Sequence, residues 1–201
     1  QYHPFMGRQT LISHTVELDP DQLIFKRLFD LAGGGVAFIV LALMYPFLAV
    51  LIKLTSRGPV FFKQVRVGKN GKRFVIYKFR SMAIDAEEKK KELMKMNECD
   101  GAVFKMKDDP RVTSIGKIMR KLSIDELPQV LNVLKGEMSL VGTRPPTPDE
   151  VAMYQKWHHR RISIRPGITG LWQVSGRNKI TNFDEIVKLD LKYIDTWSIW
   201  L

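Results

Sequence analysis

The sequence contains little cysteine or histidine, and it lacks the common glycine-rich nucleotide motifs. Its single cysteine, Cys99, excludes an intrachain disulfide and fits a reducing compartment. The four histidines do not have the Cys/His spacing of a zinc site, and we interpret them as structural or solvent-exposed: His3, His14, His158 and His159. Neither a Walker loop nor a dinucleotide-binding fingerprint is present.

Acidic residues are also scarce relative to basic ones. There are 21 Asp and Glu against 32 Lys and Arg, which gives a net charge of +11. This excess indicates anionic partners, namely nucleic acid, an acidic membrane surface or phosphorylated substrates, and composition does not choose among them. With 201 residues and 45% hydrophobic content, the chain can bury one sizeable core, so we expect one domain.

A long stretch without charge runs from Leu31 to Ile52. As a helix it would measure about 33 Å, enough to cross a bilayer core. Pro46 lies inside it and would collide with the carbonyl of Ala42, so we expect a kink or a break there. Positive residues flank both ends and set no direction, which together with Pro46 favours a broken helix that enters and leaves by the cytoplasmic face over a transmembrane helix: Lys26, Arg27, Lys53 and Arg57. The 22 uncharged residues show no amphipathic period, which disfavours a buried helix of a soluble core.

Two adjacent carboxylates, Asp125 and Glu126, open an apolar segment that continues to Leu134. Pro128 fits a helix only in its first turn, so the helix should begin near Asp125. Both carboxylates would then lie at the positive end of the helix dipole, where an ionised side chain can serve as a nucleophile or a magnesium ligand. The same residues allow a simpler interpretation, because Ser123 and Glu126 have the spacing of a capping box.

Residues 60–67 and 73–80 alternate like strands on either side of a turn signal at 68–72, which predicts a β-hairpin. Its second strand would place Lys78 and Arg80 on one face, close enough to act together on a phosphate. The alternative is a solvated cationic edge that discourages strand aggregation.

The remaining segments combine turns, arginines and glycines. The proline-rich loop at 142–148 should hold Arg144 at a fixed angle, and Arg165 and Arg177, each beside glycines, suit a diphosphate. Residues 172–174 read as part of a strand-like piece. We predict membrane-surface contact for the basic aromatic cluster at 157–161 and surface positions for three acidic residues of a helix at 183–199: Asp184, Glu185 and Asp190.

Four ordered blocks, at 78–82, 125–129, 135–145 and 165–177, resemble the bacterial sugar transferase family, and the resemblance runs from about Lys26 to Trp200. Members of that family are monotopic phosphoglycosyl transferases, which move a sugar phosphate from a nucleotide sugar to a polyprenyl phosphate. The resemblance implies an α+β fold in which a small helical catalytic domain carries a β-hairpin and an N-terminal re-entrant membrane helix.

The resemblance also implies a division of the chain. Residues 1–22 would be a tether or the end of a preceding domain, 23–57 the re-entrant helix, and 58–201 the cytosolic catalytic domain. Family members commonly break the helix at a Ser-Pro pair, where this sequence has Tyr45-Pro46. Asp30 would anchor the helix or pair with nearby cations. We expect the cytoplasmic membrane of a bacterium, with membrane lipids as partners, no nucleic acid, and a homodimer, as longer relatives suggest.

By the same resemblance, Asp125 attacks the sugar-linked phosphorus of a UDP-sugar, UMP leaves, and undecaprenyl phosphate accepts the sugar phosphate. Asp125 and Glu126 would be the catalytic pair and would hold Mg²⁺. The candidate phosphate ligands are basic residues from several blocks: Lys78, Arg80, Arg120, Arg144, Arg165 and Arg177. Competing interpretations are a single-step transfer with Asp125 only as metal ligand, a basic nucleic-acid-binding module, and a membrane scaffold without catalysis. The sugar remains open among glucose, galactose and N-acetylated amino sugars.

Overall fold

The structure is a computed structural model that describes residues 20–94, 97, 106, 108–176 and 180–198. Residues 1–19 of the predicted tether and the predicted phosphate ligand Arg177 lie outside the described residues. The helices are α1 (Pro20–Thr55), α2 (Ala86–Leu93), α3 (Ser114–Lys121), α4 (Val130–Lys135), α5 (Pro148–Ala152), α6 (Leu171–Val174) and α7 (Phe183–Asp195). The strands are β1 (Phe61–Val67), β2 (Arg73–Phe79), β3 (Ser139–Val141) and β4 (Gly167–Thr169), and three 3₁₀ turns cover Lys69–Gly71, Ile124–Gln129 and Lys156–Ile162. This mixture confirms the α+β fold class.

Helix α1 is continuous through Pro46, so the helix is not interrupted at Tyr45-Pro46, and the kink predicted as the alternative to a break stays a prediction. A proline removes one backbone hydrogen bond, and the remaining bonds of a 36-residue helix hold the two halves together here. The re-entrant path itself stays a prediction.

One stripe of α1 packs against the rest of the chain, and the other faces are exposed. The buried residues are spaced by four and seven positions, the period of a single helix face: Asp30, Gly34, Leu41, Leu48 and Ile52. Only 17% of the most apolar 18-residue window is buried. This exposure disagrees with the alternative of a core helix in a soluble protein and fits a helix in contact with lipid.

Polar side chains near the start of α1 fix it to the rest of the chain. Asp30 Oδ1 accepts hydrogen bonds from Ser139 Oγ and from the Leu140 N–H, both at 2.9 Å. The Arg27 guanidinium donates to the carbonyls of Val133 and Leu134 at the end of α4, at 2.7 and 3.0 Å. Asp30 therefore anchors α1 to Ser139 and Leu140 of the strand at 139–141. Anchoring is one of the two roles predicted for it.

The predicted hairpin is confirmed. Strands β1 and β2 pair antiparallel, with Phe61 opposite Phe79 and Val67 opposite Arg73. The connecting turn contains Asn70 in the left-handed region, at φ 56°. On one face of the hairpin, Phe79 packs in the main core with the buried stripe of α1. On the other face, Phe74 and Ile76 pack in a second cluster with Val133 and Met138. The hairpin is therefore packed on both faces.

Strands β3 and β4 form a short parallel sheet in which Ser139 is opposite Gly167 and Val141 is opposite Thr169. The backbones approach so closely just beyond β3 that a Cβ on Gly167 would collide with the Gly142 nitrogen. This contact fixes the loop at 142–148 against β4, and both segments contribute to the site described below.

The C-terminal region corrects two predictions. Asp190, predicted at the surface, is fully buried and pairs with Arg161, whose Nε lies 2.8 Å from Asp190 Oδ2. Arg161 and His158 of the cluster at 157–161 are also buried, so these two residues are not available for the predicted membrane-surface contact, whereas Trp157 is exposed. Asp184 and Glu185 are exposed as predicted.

Candidate active site

The two carboxylates at the start of the α4 segment occupy a 3₁₀ turn. Ser123, at φ 55°, is in the left-handed region and directs the chain into Ile124–Gln129, which continues as α4. The Ser123 side chain makes no capping hydrogen bond, so the capping-box interpretation is wrong. Glu126 instead pairs with Lys78, whose Nζ lies 2.8 Å from Glu126 Oε1.

A cavity opens beside this ion pair, between the hairpin, the 3₁₀ turn, the loop at 142–148 and the segment from β4 to α6. Three cationic side chains and one carboxylate share it with neutral polar and apolar residues. Its lining consists of Arg66, Ile76, Lys78, Glu126, Gln129, Arg144, Pro145, Gly167, Ile168, Trp172 and Gln173.

Burial lowers the pKa of Lys78, and the negative charges of Glu126 and Asp125 oppose that shift. The influence of Asp125 shows that its carboxylate lies within electrostatic reach of the Lys78 ammonium. Asp125 is buried, 7% exposed, and does not itself line the cavity. The structure thus places Glu126 at the cavity and Asp125 next to it.

Arg144 is held rigidly at the cavity by a buried carboxylate. Its Nη1 and Nη2 donate to Glu150 Oε2 and Oε1, at 2.9 and 3.2 Å. Glu150 also accepts a hydrogen bond from the Thr147 N–H and closes the capping box of α5. Burial alone would raise the pKa of Glu150, but attraction to the Arg144 guanidinium lowers it. Burial alone would lower the pKa of Arg144, but attraction to the Glu150 carboxylate raises it.

Three predicted phosphate ligands do not line the cavity. Arg80 follows the last residue of β2 and donates to the carbonyls of Ser56 and Arg57 just beyond α1, at 2.5 and 2.9 Å. The Nε of Arg120 donates to Ser81 Oγ at 3.0 Å. Arg165 is exposed, close enough to Lys26 to influence its pKa. Among the described residues, the structure therefore brings together Lys78, Arg144, Glu126 and the adjacent Asp125.

Sequence reasoning missed several cavity residues, and one of them was within its reach. The hairpin register pairs Arg66 with Phe74, and the two-residue period then places Arg66 on the face that carries Ile76 and Lys78. Arg66 Nη1 donates to the Pro145 carbonyl at 2.9 Å. Three further cavity residues lie inside the blocks at 125–129 and 165–177, where nothing singles them out as cavity residues: Gln129, Trp172 and Gln173. Glu150 does not line the cavity and acts through Arg144.

The donor set of Asp125 and Glu126 fits magnesium. Mg²⁺ usually binds one or two carboxylates and takes its remaining ligands from substrate phosphates and water. Among the described residues, no three or more His, Cys, Asp or Glu side chains are grouped so that they could hold a metal ion. A metal ion at Asp125 and Glu126 would therefore need ligands from substrate or water. Glu126 already attracts a cation, the Lys78 ammonium, so the carboxylate is oriented toward positive charge.

An exposed apolar helix on a small α+β domain, with a cationic cavity beside paired carboxylates, is the arrangement expected of a membrane-associated protein with an anionic ligand. The family described as bacterial sugar transferase matches residues 21–201, and the chain belongs to that family.

Several curated relatives are similar over most of this chain. Galactosyl transferase CpsE of Streptococcus agalactiae is 57% identical over 89% of this chain and 39% of its own length. The undecaprenyl-phosphate galactose phosphotransferase of Salmonella typhimurium is 42% identical over 87% of this chain and 37% of its own length. The undecaprenyl-phosphate glucose phosphotransferase of Komagataeibacter xylinus is 44% identical over 89% of this chain and 34% of its own length. The chain thus spans less than half the length of these relatives.

Proposed function

We propose that this chain transfers a sugar 1-phosphate from a UDP-sugar to undecaprenyl phosphate, releases UMP and forms a polyprenyl-diphosphate-sugar. The observation that carries the proposal is the cavity in which Lys78, Arg66 and Arg144 surround Glu126, next to Asp125. The names of the Salmonella and Komagataeibacter relatives support the same acceptor and a hexose donor.

The reaction proceeds in two displacements. A carboxylate oxygen of Asp125 attacks the sugar-linked phosphorus, the bond from that phosphorus to the bridging oxygen breaks, and UMP leaves with the electron pair. A phosphate oxygen of the polyprenyl phosphate then attacks the aspartyl phosphorus, which regenerates the Asp125 carboxylate. Positive charge from Lys78 and Arg144 stabilises the phosphoryl oxygens in both steps.

Asp125 and Glu126 would hold Mg²⁺, which supplies additional positive charge for the diphosphate of the donor. Lys78 keeps Glu126 oriented at the cavity through their 2.8 Å ion pair. Glu150 keeps Arg144 oriented in the same way, so the phosphate-binding groups are positioned before the donor binds.

The exposed faces of α1 support attachment to the cytoplasmic face of the bacterial inner membrane, with α1 as the re-entrant element. The lipid tail of the acceptor can then stay in the bilayer while its phosphate reaches the cavity. We place the reaction at the first membrane step of surface polysaccharide synthesis, consistent with relatives named for exopolysaccharide production. A homodimer is part of the same proposal.

A second candidate is a single-step transfer in which Asp125 serves only as a metal ligand. The observation that favours it is that Glu126, and not Asp125, lines the cavity. Double-reciprocal plots of initial rates distinguish the two, because a ternary complex gives intersecting lines and a covalent intermediate gives parallel ones.

The direct test incubates purified protein in detergent with magnesium and a panel of UDP-sugars, without lipid acceptor, and follows intact mass and UMP release. We expect a mass gain of one sugar phosphate in the wild type and none in Asp125→Asn. The matched control is Asp195→Asn, because Asp195 is an exposed partner of Arg160 and does not line the cavity.

UMP release that requires polyprenyl phosphate and leaves no adduct would favour the single-step route. Failure of every UDP-sugar to release UMP, with and without the acceptor, would overturn the proposed function.

A further inference from the structure

Part of the cavity lining is neutral. Gln129, Trp172 and Gln173 contribute polar groups without charge, and Ile76 and Ile168 contribute apolar surface. Cationic residues account for binding of the diphosphate, but they do not explain why neutral polar groups share the same cavity.

Two polar atoms of this neutral part lack an intramolecular partner. Trp172 Nε1 and Gln173 Oε1 are both buried, and neither has a hydrogen-bond partner among the described residues. An unpaired buried polar group destabilises a protein, and such groups are rare in native structures. Because both residues line the cavity, a molecule bound there can supply the missing partners.

The two side chains belong to a fixed part of the fold. Trp172 is 6% exposed and packs in a cluster with Phe183, Ile186 and Val187 of α7. Gln173 Oε1 lies close to Gly170, because a Cβ atom built on Gly170 would be only 2.9 Å from that oxygen. The packing of Trp172 therefore holds a hydrogen-bond donor in place before any ligand binds, and the acceptor of Gln173 lies on the next residue of the same helix.

We infer that Trp172 and Gln173 bind hydroxyl groups of the donor's hexose and help to determine which UDP-sugar is used; this rests on the proposed function. A hydroxyl both donates and accepts, so sugar hydroxyls can satisfy the indole N–H and the amide oxygen together. The hexose is joined to the attacked phosphorus through one oxygen, whereas a second phosphate and a ribose separate that phosphorus from uracil. Residues that share a cavity with Glu126 and Lys78 therefore reach the hexose more readily than the base.

The test compares Trp172→Phe and Gln173→Met with the wild type, using UDP-glucose, UDP-galactose and UDP-N-acetylglucosamine as donors and UMP as an inhibitor. We expect kcat/KM for the preferred donor to fall about tenfold in each variant, as for loss of one hydrogen bond, with smaller losses for the other donors. Inhibition by UMP should not change, because UMP lacks the hexose. Trp157→Phe is the matched control, since the Trp157 indole is partly exposed and donates to Gln155 outside the cavity.

Each other outcome is informative. Unchanged donor preference with weaker UMP inhibition would assign the two residues to uracil and overturn the inference. Unchanged kinetics in both variants would show that water alone satisfies the two atoms, which also overturns it. If thermal melting shows that Trp172→Phe is unfolded, the partly exposed Gln173 decides through Gln173→Met. A wild type that uses none of the donors would instead count against the proposed function.

Discussion

At the scale of single residues, Lys78 links the charge of the cavity to pH. Burial lowers its pKa below the ordinary 10.5, and Glu126 and Asp125 limit that shift. We expect kcat to fall as the pH rises through this lowered pKa, because neutral Lys78 no longer stabilises phosphoryl oxygens. Arginine stays charged in this range, so Lys78→Arg should move the alkaline limit upward.

A pH–rate series from neutral pH to pH 10 measures this effect. The control is Lys63→Arg, because Lys63 lies on β1 outside the cavity lining. An alkaline limit that is identical in the wild type and Lys78→Arg would contradict the assignment.

Glu150 affects both the activity and the stability of the protein through Arg144. We expect Glu150→Gln to lower the free energy of unfolding by about 3 kcal/mol at neutral pH, because it leaves the Arg144 guanidinium without its buried partner. KM for the UDP-sugar should rise as Arg144 loses its fixed orientation. Denaturant unfolding and initial-rate kinetics measure the two effects, with exposed Glu185→Gln as control.

The same ion pair predicts an acid dependence with a definite sign. The pKa of Glu150 is lowered from 4.5 in the folded protein, so its contribution to stability is complete above pH 4.5 and is lost as the pH falls through the lowered value. Glu150→Gln should lack this part of the acid destabilisation. Equal acid sensitivity in both proteins would contradict it.

Single residues also show why part of the site could be predicted and part could not. Lys78 and Arg144 are placed by local signals, strand alternation and a proline-rich loop. For Glu126 the proline signal predicts a helix that begins near Asp125, whereas residues 124–129 form a 3₁₀ turn and α4 begins at Val130. Arg80 follows the same alternation, yet β2 ends one residue earlier and the carbonyls beyond α1 take its guanidinium. That outcome depends on where a separate helix docks, which no local pattern specifies.

At the scale of elements, two leucines of α1 separate packing from lipid contact. Leu41 is 4% exposed in the main core, and Leu43, two residues later, is 68% exposed. We expect Leu41→Ala to lower the free energy of unfolding by about 3 kcal/mol, because it leaves a cavity between α1 and the catalytic domain. Leu43→Ala should change stability by less than about 1 kcal/mol.

Unfolding of both variants in the same detergent provides the comparison. Similar losses for the two substitutions would mean that the buried stripe of α1 does not pack on the catalytic domain in solution.

The elements themselves were largely predictable, because their signals are local. The hairpin follows from alternation and a turn, and α1 from its uncharged run. Residues 172–174, predicted as part of a strand-like piece, belong instead to α6, which begins just after Gly170. The burial of Asp190 depends on Arg161, 29 positions away in the sequence, and α7 by itself reads as an ordinary amphipathic helix.

At the scale of the whole molecule, the catalytic domain covers one side of α1 on both sides of Pro46. Leu41 precedes Pro46, Leu48 and Ile52 follow it, and all three belong to one core cluster. Pro46 itself is exposed on the opposite side. Since a proline removes a hydrogen bond on its own side, any bend there is convex toward the exposed face and concave toward the catalytic domain.

This arrangement predicts how deeply α1 enters the bilayer. With the packed part of the chain in the cytosol, as proposed, a helix held against it along its length cannot cross the membrane, so depth should be greatest near Phe47 and smaller at Phe25 and Leu54. Single cysteines at these three exposed positions, in a Cys99→Ser background, can carry nitroxide labels in lipid nanodiscs. Oxygen and nickel accessibility then report depth. If the labels at Phe25 and Leu54 instead lie at opposite surfaces of the bilayer, with depth changing steadily from Phe25 through Phe47 to Leu54, the helix is transmembrane. That result would contradict re-entrant insertion.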